Sequence, residues 1–396
     1  MTHEATSPEP IAHPSSRLVS LDVMRAIAVL MVMVSHLPYS IGVDDAGQRI
    51  SATSDGLNHA LEYGRYGVHL FLVISGFCIH LQWARARQPD ARIDFGKFWR
   101  KRLTRLYPPY FVALVGSLAL LWVYYRFVAG AAGPGIAGQF GYTQPSLFVI
   151  DLFLLLFLFQ NVNGSSERVG NGPFWSLALE EQLYLLYFPL LWVRRKWGWG
   201  VTLAGSTAIC LGWRAVGLVW HDSIPASWSL LGPSLWTIWV LGALGVEAHF
   251  GWLKLPTWMR SLWAGVLLLA AGFGLDQAME SSVGFVAALL REPVIGMGFF
   301  VLVNAVCSLE SAGRFPVKAV WVRPLAWLGT ISYAVYLVHQ PLFVAIKTVL
   351  VRFGANVPMV WCARMLFAIA AAWVFYVLFE KPAIRWAAGI KALRKS

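Results

Sequence analysis

The chain is short of charge. Only 13% of its 396 residues are Asp, Glu, Lys or Arg, against roughly 25% in an ordinary soluble domain. That deficit excludes a water-soluble enzyme, a disordered scaffold and a coiled coil. Cysteine is scarce as well. Cys78, Cys210, Cys307 and Cys362 are scattered, with no CxxC pair, so neither a disulfide framework nor a zinc site is indicated, no metal is expected, and each thiol reads as a small buried hydrophobe. The first apolar run, from Leu18, follows a single Arg and has no A-x-A site behind it, which points to a retained helix rather than a cleaved signal peptide.

What is present is apolar. Hydrophobic residues make up 58% of the chain, with 20 Trp and a mean hydropathy of +0.59. This is the composition of an integral membrane protein in contact with a lipid bilayer, and the tryptophans read mostly as belts at the bilayer surfaces. Crossing a bilayer core takes ~20 apolar residues per helix, and ten stretches qualify: 21–40, 66–84, 107–127, 174–193, 198–220, 230–247, 261–278, 283–306, 325–350 and 358–380. The expected fold is all-α, a polytopic bundle of about ten spans. A net charge of +12 could suggest nucleic acid, but the cations fall in short runs between apolar stretches and form no basic-aromatic surface, so no nucleic-acid partner is expected. With the N-terminus inside, 22 of the 32 Lys and Arg lie on one side, which predicts that both termini are cytoplasmic. Residues 1–17, polar and rich in Pro, Ser and Glu, are expected to be disordered; 18–385 form the membrane domain, and 386–396 a basic tail.

One apolar segment does not fit as a span. Counting Leu147–Phe159 would move Arg194, Arg195 and Lys196 to the outer side, and it carries Asp151 and ends in Gln160-Asn161-Val162-Asn163. It is expected to be a short re-entrant or interfacial helix beside a site, since irregular backbone at membrane depth is tolerated where it lines a cavity.

An ionisable side chain mid-span costs ~2.5–3.5 kcal/mol on insertion scales, so each needs a partner or a task. Arg25 and His36 in the first span are eleven residues apart, about 16 Å along a helix. Snorkelling by Arg25 and a neighbour's hydrogen bond to His36 would account for both. Glu180 and Glu181 follow Trp175 in the fourth span; adjacent residues lie ~100° apart on a helix, so the two carboxyls are expected to face different partners, unless the pair merely favours the positive end of the helix. In the ninth span Ser332, Tyr336 and His339 form one polar stripe, with Pro341 opening the backbone two residues beyond. His339 lies at the depth of His36. Two imidazoles and a carboxylate at one depth supply a base and its orienter, which suits a proton-coupled transporter as well as hydroxyl activation. The run Lys97-Phe98-Trp99-Arg100-Lys101-Arg102-Leu103-Thr104-Arg105 suits lipid headgroups or the phosphates of a ligand. Arg214 and Arg364 carry no assigned partner, and Arg291 and Glu292, being adjacent, are expected to pair separately.

Taken together, these pieces resemble the acyltransferase 3 family of membrane acyltransferases. The resemblance rests on Arg25 through His36 as its Arg-x10-His signature, Gly67–Phe77, Arg102-x-x-Arg105, Phe174–Tyr184 as its Trp-Ser-Leu-x-x-Glu-Glu-Gln-x-Tyr block, and Ser332–His339. Position 69 is His where the family commonly has an acidic residue, and no fused hydrolase-like domain follows the last span. The resemblance implies transfer of an acyl group, usually acetyl, from acyl-CoA to a hydroxyl of a carbohydrate or other polyhydroxylated acceptor, in the inner membrane of a bacterium. It implies CoA phosphates on Arg25, Arg102 and Arg105, His36 as general base oriented by Glu181, His339 as a further catalytic group, and Trp175, Glu180, Ser332 and Tyr336 around the acceptor. The rival expectations are a proton-coupled secondary transporter, disfavoured because the two halves of the chain share no repeat, and an acyl ferry serving a separate transferase. An oligomer is compatible with each.

Overall fold

Hydrocarbon offers a peptide group no hydrogen bond, so a chain this apolar has to satisfy its backbone internally. The computed structural model describes residues 18–38, 40–43, 49–85, 92–127, 145–163, 171–390 and 393–394; the expected disorder of 1–17 lies outside them. The protein is a polytopic bundle of α-helices: α1 Val19–Ser35, α2 Asp55–Glu62, α3 Gly67–Arg85, α4 Phe95–Phe127, α5 Pro145–Leu156, α6 Gln160–Asn163, α7 Trp175–Val219, α8 Gly232–His249, α9 Leu262–Gln277, α10 Gly284–Ser311, α11 Val322–Thr330, α12 Ser332–Arg352, α13 Val357–Phe375 and α14 Lys381–Ala388. Two short antiparallel ribbons join Ser40–Val43 to Arg49–Ser51 and Arg92–Ile93 to Leu393–Arg394. Among the described residues eight helical segments are long and apolar enough to cross a membrane.

The longest of these segments folds back on itself. Gly198 sits at φ 76° inside α7, a conformation open to glycine at no steric cost. On one side of it Gln182 accepts from the Gly232 amide and on the other Cys210 donates to the Ser234 carbonyl, both at the start of α8. Arg194 and Trp199, flanking the turn, both reach Glu247 near the end of α8. Two arms of α7 therefore run antiparallel along α8, as the separate stretches 174–193 and 198–220 predict. The fully buried Glu247 takes hydrogen bonds from Arg194 at 2.6 and 2.8 Å, Trp199 at 2.7 Å and His80 at 2.8 Å, which binds α3 to the turn.

Three boundaries differ from the hydropathy reading. α1 stops at Ser35, so His36 is its cap and not a mid-span residue. The ninth stretch is two helices, broken at Ile331 between α11 and α12, because Gly329 lies directly on the α1 backbone at Asp22 and the chain must turn past it. The basic run Lys97–Arg105 belongs to the first turns of the 33-residue α4 rather than to a loop. Leu147–Phe159 is, as expected, too short to cross: α5 has 12 residues, and Leu158 at φ 58° separates it from α6.

Proline in a helix strips a carbonyl of its donor, and side chains from elsewhere fill the gap. Pro341 frees the Leu337 carbonyl, which Asn171 takes at 2.7 Å. Pro293 frees that of Leu289, which Arg214 takes at 3.1 Å while also holding Ala288. These contacts give Arg214 the partner that the sequence left open.

α3 and α8 cross in close contact, because Gly76 faces the Trp239 carbonyl and Gly242 the Val73 carbonyl, and a methyl at either would collide with backbone. Gly76→Ala and Gly242→Ala are each expected to lower the melting temperature in detergent, at a cost of about 1–3 kcal/mol for overpacking. Gly274→Ala, which meets nothing within 4 Å, should leave it unchanged or raise it. Equal melting temperatures for all three would contradict this packing.

Candidate active site

Several helices converge on one cavity of about 360 Å³. α3 contributes Val68, Phe71, Leu72, Ser75, Cys78 and Ile79, spaced at three and four residues so that they lie on one face. α7 contributes Ser176, Leu177, Glu180 and Tyr184, α12 Ser332, Tyr333 and Tyr336, and α4 Arg102, Arg105 and Leu106. Asp22 and Arg25 of α1 complete one end with Glu380 and Ile384.

Contacts order the cavity along its length. At one end Arg25 donates to Asp22 at 2.6 Å and to the Cys78 sulfur at 2.9 Å. Arg102 lies over the rings of Phe98 and Tyr184, at 5.6 and 5.4 Å from their centroids. Among the described residues neither Arg102 nor Arg105 donates a hydrogen bond, although both line the cavity. In the middle, one oxygen of Glu180 accepts from Ser75 and from Tyr184, each at 2.5 Å, and Trp239 donates to Ser75 at 3.2 Å. At the other end Tyr336 hydrogen bonds to Ser176 and donates to the Pro173 carbonyl at 2.9 Å, with Phe71 edge-on against its ring at 6.0 Å.

Just past Tyr336 stand two imidazoles. The His339 ring lies 5.8 Å from that of Tyr336 and 5.2 Å from that of His36. His36 Nδ1 is 2.8 Å from the Val32 carbonyl, and His339 Nδ1 is 3.1 and 2.9 Å from those of Val335 and Tyr336. A carbonyl only accepts, so each ring is assigned its proton on Nδ1. His339 Nε2 then faces His36 Nδ1 at 3.4 Å, and His36 Nε2 keeps a free lone pair, with no partner among the described residues. The end of α1 is held in place by Arg364, which donates at 2.6 Å to each of the carbonyls of His36 and Leu37.

The acyltransferase domain model of the acyltransferase 3 family matches residues 18–377. The chain belongs to this family. It is 24% identical over 379 residues to the peptidoglycan O-acetyltransferase OatA of Listeria monocytogenes, covering 90% of this chain and 53% of that protein. It is 24% identical over 388 residues to the O-acetyltransferase OatA of Staphylococcus aureus, covering 92% and 57%. The chain thus spans little more than half the length of these curated relatives. No solved structure matches it.

Placed on the family's motifs, Arg25, Arg102, Arg105, Glu180, Ser332 and Tyr336 come together in the cavity, and His36 meets His339. Two expected residues do not join them. Glu181 does not line the cavity, where Glu180, one residue back on the helix, takes the inward position, and among the described residues it has no hydrogen bond to His36. Trp175 packs in the hydrophobic core with its carbonyl bonded to Asn161. Of the thiols, only Cys210 and Cys307 are buried; Cys78 faces the cavity and Cys362 is exposed. Arg291 and Glu292 find separate partners as expected, Arg291 donating to Asp276 at 2.6 Å and Glu292 bonding His69, while the two also approach each other to 3.2 Å. Sequence reasoning assigned no role to Asp22, Ser75, Cys78, Ser176, Tyr184 and Glu380, although Ser75, Ser176 and Tyr184 lie within the motifs that carry the resemblance.

Arg364→Leu leaves the His36 and Leu37 carbonyls and one end of α1 without donors. Each stranded buried acceptor costs about 1–3 kcal/mol, so thermal unfolding in detergent should begin at lower temperature, with Arg364→Lys between the variant and the wild type. A melting temperature unaltered by Arg364→Leu would contradict the clamp.

Proposed function

We propose that this protein transfers an acyl group, acetyl above all, from acyl-CoA to a hydroxyl of a carbohydrate or other polyhydroxylated acceptor. It would do so in the bacterial inner membrane, with the arginine end of the cavity toward the cytoplasm. One observation carries the reading: two guanidinium groups that donate no hydrogen bond among the described residues line a cavity whose opposite end, at Tyr336, lies beside the His36–His339 pair. Guanidinium forks match phosphate oxygens two at a time, so Arg102 and Arg105 would hold the phosphates of CoA, with Arg25 beside them. The stripe from Ile79 to Val68 on α3 extends about 16 Å at 1.5 Å per residue, a path for the pantetheine arm toward the imidazoles. The lipid bilayer holds the bundle, and the peptidoglycan O-acetyltransferase of Listeria monocytogenes among the relatives favours a cell-wall carbohydrate as acceptor.

The chemistry follows from the tautomers. The acceptor hydroxyl gives its proton to His36 Nε2 as its oxygen attacks the thioester carbonyl. The tetrahedral oxyanion collapses, the carbon–sulfur bond breaks, and the CoA thiolate recovers the proton from His36. The Val32 carbonyl, accepting from His36 Nδ1 at 2.8 Å, would fix the ring with His339 packed against it, the orienting part first expected of Glu181. Ser332 supplies a hydroxyl donor near the oxyanion, the ring of Tyr336, its hydroxyl held by Pro173 and Ser176, walls that side, and Glu180, held by Ser75 and Tyr184, faces the acceptor.

The test uses purified protein in nanodiscs with radiolabelled acetyl-CoA and a chito-oligosaccharide. Wild type should form labelled ester, which neither a transporter nor a ferry without its partner would do. His36→Ala should lower turnover by ~10²–10⁴, the range for loss of a general base, with expression intact; near-normal turnover would refute its role. Arg102→Ala combined with Arg105→Ala should weaken acetyl-CoA binding at least about tenfold, since a hydrogen bond to a charged group is worth ~1.5–3 kcal/mol. Unchanged affinity would return those cations to lipid headgroups.

A further inference from the structure

The cavity and the imidazole pair are neighbours, but they are not one space. Phe71 and Tyr336 line the cavity, and neither His36 nor His339 does. Whatever brings a thioester carbonyl to His36 therefore meets these two rings first. The rings differ in freedom. Tyr336 is buried, and its hydroxyl is tied both to Ser176 and to the Pro173 carbonyl. Phe71 is half-buried, with no polar anchor, and leans edge-on against Tyr336 at 6.0 Å. On α3, Val68 and Leu72 flank Phe71 and also face the cavity, so the space that the phenyl ring fills is bordered by aliphatic walls. An alkyl chain would suit that space. A polar acceptor would not.

Resting on the acyl-transfer reading, we propose that Phe71, braced by the pinned Tyr336 ring, selects the acyl group by length, leaving room for acetyl beside the imidazole pair and turning longer chains away. A hydrophobic pocket discriminates by about 10–200-fold per methylene, enough for one ring to set the preference. Acyl length is then read at the carbon next to the reacting carbonyl, by a residue that takes no part in proton transfer or phosphate binding.

The experiment is isothermal titration of wild type, Phe71→Ala and Phe71→Leu in nanodiscs with acetyl-CoA, butyryl-CoA and hexanoyl-CoA. Wild type should bind hexanoyl-CoA at least about tenfold more weakly than acetyl-CoA. In Phe71→Ala that gap should close or reverse. Phe71→Leu should lie between them, and it carries the test alone if the alanine variant does not fold. A ratio of affinities is the readout because a general loss of stability shifts all three donors alike. Wild type that binds acetyl-CoA but discriminates no longer chain, or variants that keep the wild-type ratio, would overturn the selector. Wild type that binds no acyl-CoA at all would overturn the donor reading beneath it.

Discussion

A guanidinium inside hydrocarbon has to be matched by acceptors, since an unanswered charge there is costly, and this demand organises the bundle. Arg194 closes the α7 turn on Glu247, Arg214 holds the carbonyls before Pro293, Arg364 holds those at the end of α1, and Arg291 and Arg65 share Asp276. Each of these arginines ties one segment of the chain to another. Arg102 and Arg105 stand apart. They line the cavity and donate no hydrogen bond among the described residues.

The same accounting joins architecture to chemistry. Pro341 lets α12 give up the Leu337 carbonyl to Asn171, which ties α12 to the residues leading into α7 beside the Ser176–Tyr336 bond. Glu380, in the π-helical turn Tyr376–Glu380, accepts from the Ala334 amide at 3.1 Å and fixes the start of α12 from the other side. α12 carries Ser332, Tyr336 and His339, so both contacts set the positions of the polar stripe. Gly329 brings α11 against α1 at Asp22, three residues from Arg25. The cavity is thus framed by backbone packing before any ligand enters.

Much of this was legible in the sequence, and the exceptions have physical reasons. Spacing placed Arg25 and His36 about 16 Å apart on one helix, and hydropathy put His339 at a matching depth; the rings touch. The glycine and the basic cluster around 194–198 marked the turn within α7. Adjacency of Glu180 and Glu181 implied that they diverge, yet which one faces inward depends on Ser75, a residue of another helix. The break at Ile331 has no proline to announce it, because its cause is contact with α1. Cys78 and Glu380 were missed since a single polar residue on an apolar stripe carries no period of its own. The ribbon joining Arg92–Ile93 to Leu393–Arg394 is too short to show alternation.

The central claim is that an acyl donor held by a pair of arginines lies along one cavity with its acyl end at Phe71 and Tyr336, beside a pair of imidazoles. Its most direct test is an experimental structure of the protein in lipid nanodiscs with a thioether analogue of acetyl-CoA, which cannot be hydrolysed. The account predicts the analogue's phosphates on Arg102 and Arg105 and its acyl end against Phe71 and Tyr336. An analogue bound elsewhere, or entering with its phosphates toward His36, would contradict it.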